Sequence, residues 1–330
     1  MNADSEVLFS TDGALGRIVL NRPKAINSLS LAMVREIDRQ LIEWADDDRV
    51  QIVSVEGAGE RGLCAGGDVV AVRQEILDGG DGQDFFRDEY AMNARMAHYP
   101  KPIVAFQDGI VLGGGVGVSA HCRVRLVTDR SKLGMPETII GFFADVGAMH
   151  LLTRAPGETG THLALTGSTI DAADAVYAGL SDGVATSSWE DLLAGMAAGE
   201  LPAYGAPDGP GSLEAQRDWI DECYAGDDPV AILDRLRNHS AEAARSAAAL
   251  IEQRSPLSVA TSLAALRRAA GKTIDEVLAQ DVVLARNLSH QRDFAEGVRA
   301  QIVDKDRSPK WSHPSVADVS PGEVSAMFQP

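Results

Sequence analysis

Glu137 and Asp145 stand eight residues apart in the segment that begins Met135-Pro136-Glu137-Thr138, and the run Gly113-Gly114-Gly115 lies about twenty residues upstream. Acyl-group chemistry needs such a combination. Bare glycine backbone lets N–H groups approach an acyl oxygen, and a nearby acid handles water and protons. Glu137 follows a proline and precedes Thr138, Ile139 and Ile140, so burial against apolar neighbours would raise its pKa and favour acid–base work. A helix-capping glutamate is the plain alternative for a Pro-Glu pair. Asp145, between Phe142-Phe143-Ala144 and Val146-Gly147, would by itself be a turn residue.

Two glycine-rich segments could supply the N–H donors. Gly62-Leu63-Cys64-Ala65-Gly66-Gly67-Asp68 follows an expected strand and leads into an apolar segment from Val69. Paired glycines before an acid suit a turn into a helix, with Asp68 as its cap in the simplest reading. The second segment, Asp108 to Gly117, contains Gly115-x-Gly117-x-x-Ala120, formally a dinucleotide fingerprint, with Glu137 twenty residues past Gly117. Only about six residues separate Gly117 from the next strand-like run at Val124, too few for the crossover helix that a nicotinamide or flavin site requires. A tight helix packed through glycines is the other alternative. Cys64 borders the first segment without an evident partner base, so it reads as a buried structural thiol. The seven histidines form no i, i+4 pair and no cluster with cysteines or carboxylates, which argues against a metal. No Gly-x-Ser-x-Gly elbow occurs, so a serine hydrolase triad has no foothold.

These segments need a scaffold, and the chain supplies an α/β one. Arg17 to Leu20, Ile52 to Val55, Ile103 to Phe106 and Val124 to Val127 read as strands. Leu31, Val34, Ile37, Leu41 and Trp44 recur at spacings of three and four, as one buried helix face would. Beyond about Asp182 strand-like runs fade, and Leu201 to Ser212 is a loop rich in glycine and proline. Ser255-Pro256 looks like an N-cap with proline at the first helical position, leading into Val259, Leu263 and Leu266. Ile274, Val277, Leu278 and Val282 mark another helix. The expected organisation is residues 1–200 as the core carrying the site and 201–330 as a mainly helical region.

Composition narrows the function. With 330 residues the chain can bury a sizeable core. Its formal charge of −18, from 48 acidic and 30 basic residues, offers nothing to a polyanion or an anionic membrane surface. Three scattered cysteines fit a reducing compartment. The segment Met1 to Thr11 is polar and acidic, and no apolar run reaches membrane-spanning length. The expectation is a cytoplasmic protein with no nucleic-acid or membrane partner.

Taken together, Asn21-Arg22-Pro23-Lys24-Ala25-Ile26-Asn27, the Cys64 to Asp68 loop, the triple glycine and Met135-Pro136-Glu137 resemble the crotonase (enoyl-CoA hydratase/isomerase) superfamily in order and spacing. Within it, Phe86 to Tyr90, Gly113 to Ser119 and the stretches Asp293 to Ala300 and Asp304 to Trp311 resemble the 3-hydroxyisobutyryl-CoA hydrolases. The resemblance runs from about Val7 to Trp311. It implies a spiral of repeated β-β-α units with a helical C-terminal region, assembly into homo-oligomers, and an acyl-CoA substrate in which coenzyme A is part of the substrate and no separate cofactor acts.

The same resemblance assigns roles. Backbone amides of Gly67 and Gly114 match an oxyanion hole. Lys24, Ala25 and Ile26, with Ala65, Gly66 and Asp68, match the stretches that embrace coenzyme A. Glu137 matches the main catalytic acid, and Asp145 with Glu89 the hydrolases' additional polar substrate contacts, so that Glu89, Gly114, Glu137 and Asp145 would surround the acyl group. Hydratases carry a second glutamate three residues beyond the middle glycine, where this chain has Gly117, which disfavours simple hydration. Ala144 stands where hydrolases commonly have proline, and Val146 to His150 lack their usual glycine cluster and aromatic residue. The implied reaction is thioester hydrolysis of a short 3-hydroxyacyl-CoA, as in valine catabolism. Its alternatives are an enoyl-CoA hydratase/isomerase and a non-catalytic acyl-CoA-binding subunit. Lys305, Arg307 and Lys310 could meet a phosphate of coenzyme A or belong to a solvated tail.

Overall fold

Each of the four apolar β-rich runs forms a strand in the computed structural model, which describes residues 5–330; Met1 to Asp4 of the polar N-terminal stretch lie outside the described residues. The described chain separates into two units. One holds residues 5–68, Asp88–Leu133 and Ile170–Gly211, and the other Val69–Arg87, Gly134–Thr169 and Ser212–Pro330. The units interleave along the chain, whereas the composition suggested one cut between 200 and 201. Past 201 the described elements are helices, apart from the two-residue strand Tyr204–Gly205.

The first unit is built on a seven-stranded sheet. β1 (Val7–Asp12) and β2 (Leu15–Leu20) form an antiparallel hairpin; β2, β3 (Ile52–Gly57), β4 (Ile103–Gln107), β5 (Val124–Val127) and β6 (Gly183–Ala185) then follow in parallel. A final antiparallel strand, β7 (Tyr204–Gly205), closes the order. β6 and β7 were not expected, because two or three residues carry no legible period. Parallel strands buried on both faces read as continuous apolar runs, and here Leu15, Ile52, Val104, Phe106 and Leu126 pack with Leu192 and Met196 from the helix Trp189–Ala197.

A short extended segment follows each of β2, β3 and β4, and these segments pair with one another in turn. Leu29 bridges Gly67, Gly62 bridges Gly109, and Cys64 bridges Val111. Helices complete each turn. α1 (Leu31–Ala45) starts at Ser30, whose side chain accepts the Met33 N–H at 3.2 Å, and buries Met33, Val34, Ile37, Leu41 and Trp44. Leu31, expected on that face, is only partly buried, and Met33 takes its place. Burying each such large side chain contributes roughly 1.5–3 kcal/mol. α2 (Gln83–Ala97) carries Glu89, and α3 (Gly114–Gly117) is four residues of glycine and valine. That single turn is the whole of the helix after the triple glycine, so no dinucleotide crossover exists here.

Asn27 locks two loops of this unit together. Its side-chain N–H groups donate to the Ala58 and Gly62 carbonyls, both at 3.0 Å, and its carbonyl accepts the Arg22 N–H at 3.0 Å. Its backbone is left-handed at φ 54, a conformation asparagine tolerates better than most residues.

The second unit is largely helical. α4 (Ala148–Leu152) is short; α5 (Pro256–Ala269) begins as expected, with Ser255 accepting the Ser258 N–H at 3.3 Å and Pro256 first in the helix. α6 (Ile274–Ser289) opens on a Thr273–Glu276 capping box, and α7 (Arg292–Val298) follows. The buried face of α6 runs through Ile274, Val277, Leu278, Asp281, Leu284 and Leu288. Val282, expected to be buried, is 40% exposed, and Asp281 holds the inner position. Pattern reading passes over a carboxylate there because a charge so rarely occupies a buried stripe.

Replacing Asn27 by alanine should leave the Ala58 and Gly62 carbonyls without their donors in a buried setting. A loss of about 2–4 kcal/mol of unfolding free energy is expected, read from the midpoint and slope of urea denaturation. A loss below about 0.5 kcal/mol would mean the loops are held by other contacts.

Candidate active site

In the first unit the two glycine-rich segments come together. A methyl group built on Gly114 would sit 2.6 Å from Glu89 Oε1, 3.2 Å from the Gly67 amide nitrogen and 3.2 Å from Leu29 Cδ1. Gly114 and Gly67 are therefore neighbours with the Glu89 carboxylate beside them. Flanking backbone is paired: Leu29 N–H donates to Gly66 at 2.9 Å and Asp68 N–H to Leu29 at 2.8 Å, while Leu112 N–H donates to Cys64 at 2.9 Å. Among the described residues, neither the Gly67 nor the Gly114 N–H donates to a protein acceptor. Two closely spaced donors with no internal use are what an anionic acyl oxygen requires.

The surrounding glycines have separate reasons. Gly113 stands at φ 52, ψ −117, a conformation open to glycine alone. A side chain on Gly115 would strike the Cys64 carbonyl. Glu89 is 2% exposed. Cys64 is fully buried, and burial pushes its thiol up to about 12, which leaves no thiolate for nucleophilic attack near neutral pH. The structural reading of this cysteine holds.

The stretches assigned to coenzyme A also meet. Ala65 N–H donates to the Ile26 carbonyl at 2.9 Å, and Arg22 pairs with Asp68 at 3.2 Å, tying the Pro23–Ala25 turn to the Ala65 to Asp68 loop. Lys24 and Ala25 are exposed, Ile26 and Ala65 partly so, and Ile26 is left-handed at φ 49. Arg61, which the sequence reading did not single out, donates to the Lys24 carbonyl at 3.4 Å and puts a second exposed cation beside Lys24. Only the loop pairing could reveal it. Lys305 and Arg307 lie on exposed left-handed backbone at φ 58 and 54, next to Arg299, which binds Glu296, Asp304 and Asp306.

In the second unit Glu137 opens a one-turn helix, Glu137–Ile140, after Pro136 and is 8% exposed. Its carbonyl accepts the Phe142 N–H at 3.0 Å, and Thr138 accepts from Ser255 N–H at 3.3 Å. Phe142 stacks on Phe86 with ring centres 5.1 Å apart and touches Phe143 and Phe294. The turn ends at Gly141, φ 75, where a side chain would collide with the Asp293 carbonyl. Asp293 is itself buried and accepts from Ser255 at 2.6 Å and the Ser312 N–H at 2.7 Å. Asp145 is 5% exposed, on the turn that leads into α4. Both acids are thus buried on tightly held loops; neither is a simple surface turn residue.

A family model described as Enoyl-CoA hydratase/isomerase matches residues 15–328. The 3-hydroxyisobutyryl-CoA hydrolase, mitochondrial, of Rattus norvegicus is 37% identical over 342 residues, covering 98% of this chain and 89% of the relative. The protein of the same name from Homo sapiens is 35% identical over 345 residues, covering 99% and 89%. A carnitinyl-CoA dehydratase from Mycobacterium thermoresistibile, solved as a crystal structure, superposes with a TM-score of 0.94 at 43% identity, over 99% of this chain and 97% of its own. An enoyl-CoA hydratase from Rhodobacter sphaeroides does so with a TM-score of 0.94 at 41% identity, over 99% and 98%. The relatives' names place them in mitochondria, where the sequence reading expected a cytoplasmic chain; no described helix is long and apolar enough to cross a membrane.

The Gly114 geometry yields a direct test. Gly114→Ala adds a methyl group against Glu89 and the Gly67 amide, and should slow single-turnover cleavage of an acyl-CoA thioester by about a hundredfold or more. Coenzyme A affinity should stay within roughly threefold, since the stretches that the resemblance assigns to coenzyme A are untouched. Gly113→Ala is a poor control because of its backbone; Gly195→Ala, on an open helix position with no atom within 4 Å, is a sound one. Cleavage at the wild-type rate by folded Gly114→Ala would make the glycine pair a packing feature.

Proposed function

The chain belongs to the enoyl-CoA hydratase/isomerase family, a family of enzymes, and from that premise we propose that it hydrolyses the thioester of a short 3-hydroxyacyl-CoA, 3-hydroxyisobutyryl-CoA from valine breakdown foremost, to the free acid and coenzyme A. The observation that carries this reading is the pair of spared amides, Gly67 and Gly114, beside Glu89. In the proposed reaction the acyl oxygen accepts both N–H groups, and each donor contributes about 3–4 kcal/mol to the barrier reduction as negative charge gathers there. Lys24, Ala25, Ile26, Ala65, Gly66 and Asp68 receive the coenzyme A moiety.

Glu137 supplies the reacting carboxylate. As a base it takes a proton from water, which attacks the acyl carbon; as a nucleophile it attacks that carbon itself and forms a mixed anhydride that water then opens. In both routes the carbon–sulfur bond breaks and coenzyme A leaves with a proton. Heavy oxygen from labelled water appearing in Glu137 under single turnover marks the anhydride route, with water opening the anhydride at the Glu137 carbonyl. Asp145 binds the 3-hydroxyl of the substrate, and Glu89 makes a further polar contact with the substrate.

A second reading, hydration or dehydration of an enoyl-CoA, is favoured by the names of the similar Mycobacterium thermoresistibile and Rhodobacter sphaeroides proteins. Gly117 argues against it, because the second glutamate with which hydratases handle water has no counterpart at that position. Free coenzyme A separates the two reactions. A thiol-release screen of the purified protein over acyl-CoA thioesters should give turnover on 3-hydroxyisobutyryl-CoA. Conversion of an enoyl-CoA without thiol release would replace the proposal.

Glu137→Gln keeps the shape of the side chain and loses its base or nucleophile, so turnover should fall at least roughly a hundredfold with acyl-CoA binding retained. Activity within about threefold of wild type in the folded variant would remove Glu137 from the mechanism.

Asp145→Asn is expected to lose more activity on 3-hydroxyisobutyryl-CoA than on isobutyryl-CoA. A site built to hydrogen-bond a hydroxyl discriminates against the analogue lacking it, and weakening that bond reduces the difference. Equal losses on both thioesters would move Asp145 from recognition to proton transfer or structure.

A further inference from the structure

The turn that carries Asp145 is strained, and a buried acid bonds to it. Val146 has φ 52 and Gly147 φ 74, so two consecutive residues are left-handed. Glycine adopts that backbone freely, but a β-branched valine does so only where its surroundings hold it there. Within the turn, the Asp145 carbonyl accepts the Ala148 N–H at 2.8 Å. The Gly147 N–H donates at 2.8 Å to Oδ2 of Asp281, on α6. Asp281 is completely buried, and among the described residues no donor reaches its other oxygen.

We propose that Asp281 is a positioning residue for the reaction: by accepting the Gly147 N–H it fixes the left-handed Val146–Gly147 turn, and with it the direction in which Asp145 presents its carboxylate. Its place on α6 is otherwise an apolar one, between Leu278 and Leu284. An apolar residue there would complete the stripe but leave a buried N–H without an acceptor, and the turn could then relax toward the backbone that valine prefers. The acid also suits the place electrostatically. Burial raises its pKa well above the usual carboxylate range, and the negative charge of Asp145 pushes the same way, against the opposing Gly147 N–H. A protonated acid can accept the amide through its carbonyl oxygen without needing a cation.

This inference rests on the role given to Asp145 above, and a four-variant comparison keeps the two separable. Asp281→Ala, Asp281→Asn, Asp145→Asn and the double variant Asp145→Asn/Asp281→Ala are checked for folding by circular dichroism and thermal melting. Each is then assayed for thiol release from 3-hydroxyisobutyryl-CoA and for coenzyme A affinity. Asp281→Ala should lower kcat about thirtyfold or more while coenzyme A affinity stays within roughly threefold, as expected when a reacting group is misdirected. Asp281→Asn should recover most of that loss, since its amide oxygen accepts the same N–H. In the Asp145→Asn background, Asp281→Ala should cost less than about threefold further, because no carboxylate is left to aim.

Wild-type kcat in folded Asp281→Ala, or an equal loss from Asp281→Ala with and without Asp145→Asn, would overturn the proposal and leave Asp281 a structural residue. Should Asp281→Ala fail to fold, Asp281→Asn decides: a thirtyfold loss in that folded variant would overturn it, and near-wild-type kcat would support it. Full activity in Asp145→Asn is a different failure, that of the role assigned to Asp145.

Discussion

An amide can stabilise a reacting oxygen only if the backbone has no use for it. In the sheet unit nearly every neighbouring N–H is committed: Leu29 to Gly66, Asp68 to Leu29, Ala65 to Ile26, Leu112 to Cys64. Among the described residues the Gly67 and Gly114 N–H groups have no such acceptor, and their location follows from the repeating turns. Each parallel strand leads into an extended segment that pairs with the segment of the next turn, and pairing alternates along such segments, so that some N–H groups face away from the ladder. Glycine at these points keeps the space in front of the amide clear. A larger residue at 114 would fill it with a side chain already touching Glu89.

Buried polar side chains help to hold the loops that carry the candidate site residues, beside apolar packing such as that of Phe142 on Phe86. Asn27 ties the Arg22 to Asn27 loop to the carbonyls of Ala58 and Gly62. Asp293 gathers Ser255 and Ser312 behind the turn after Glu137, and Asp281 takes the amide of Gly147 after Asp145. The physical reason is directional. Hydrophobic burial is indifferent to the orientation of a loop, whereas a hydrogen bond in a water-excluded setting fixes both distance and angle and is expensive to leave unmade. Left-handed backbone at Ile26, Asn27 and Val146 is tolerated where such anchors exist.

Local chemistry made much of this protein legible from its sequence. Continuous apolar runs determined β2 to β5, since a parallel strand buried on both faces leaves no other pattern, and the spacing of Val34, Ile37, Leu41 and Trp44 determined α1. Ser255-Pro256 marked the start of α5 because capping is a matter of a few adjacent residues. The glycine segments and the two acids could be singled out because their residue types limit what a backbone or a proton can do there. Tertiary structure decided the rest. Which amides are spared depends on pairing between segments some 40 residues apart, as in Leu29 with Gly67 and Cys64 with Val111, and no local pattern encodes that register. Arg61 reaches Lys24, and Asp281 reaches Gly147, across 37 and 134 residues. Period reading even pointed to Val282 in place of Asp281, because it assumes that a buried stripe is apolar, and only the folded chain provides the amide that makes a buried acid the better choice.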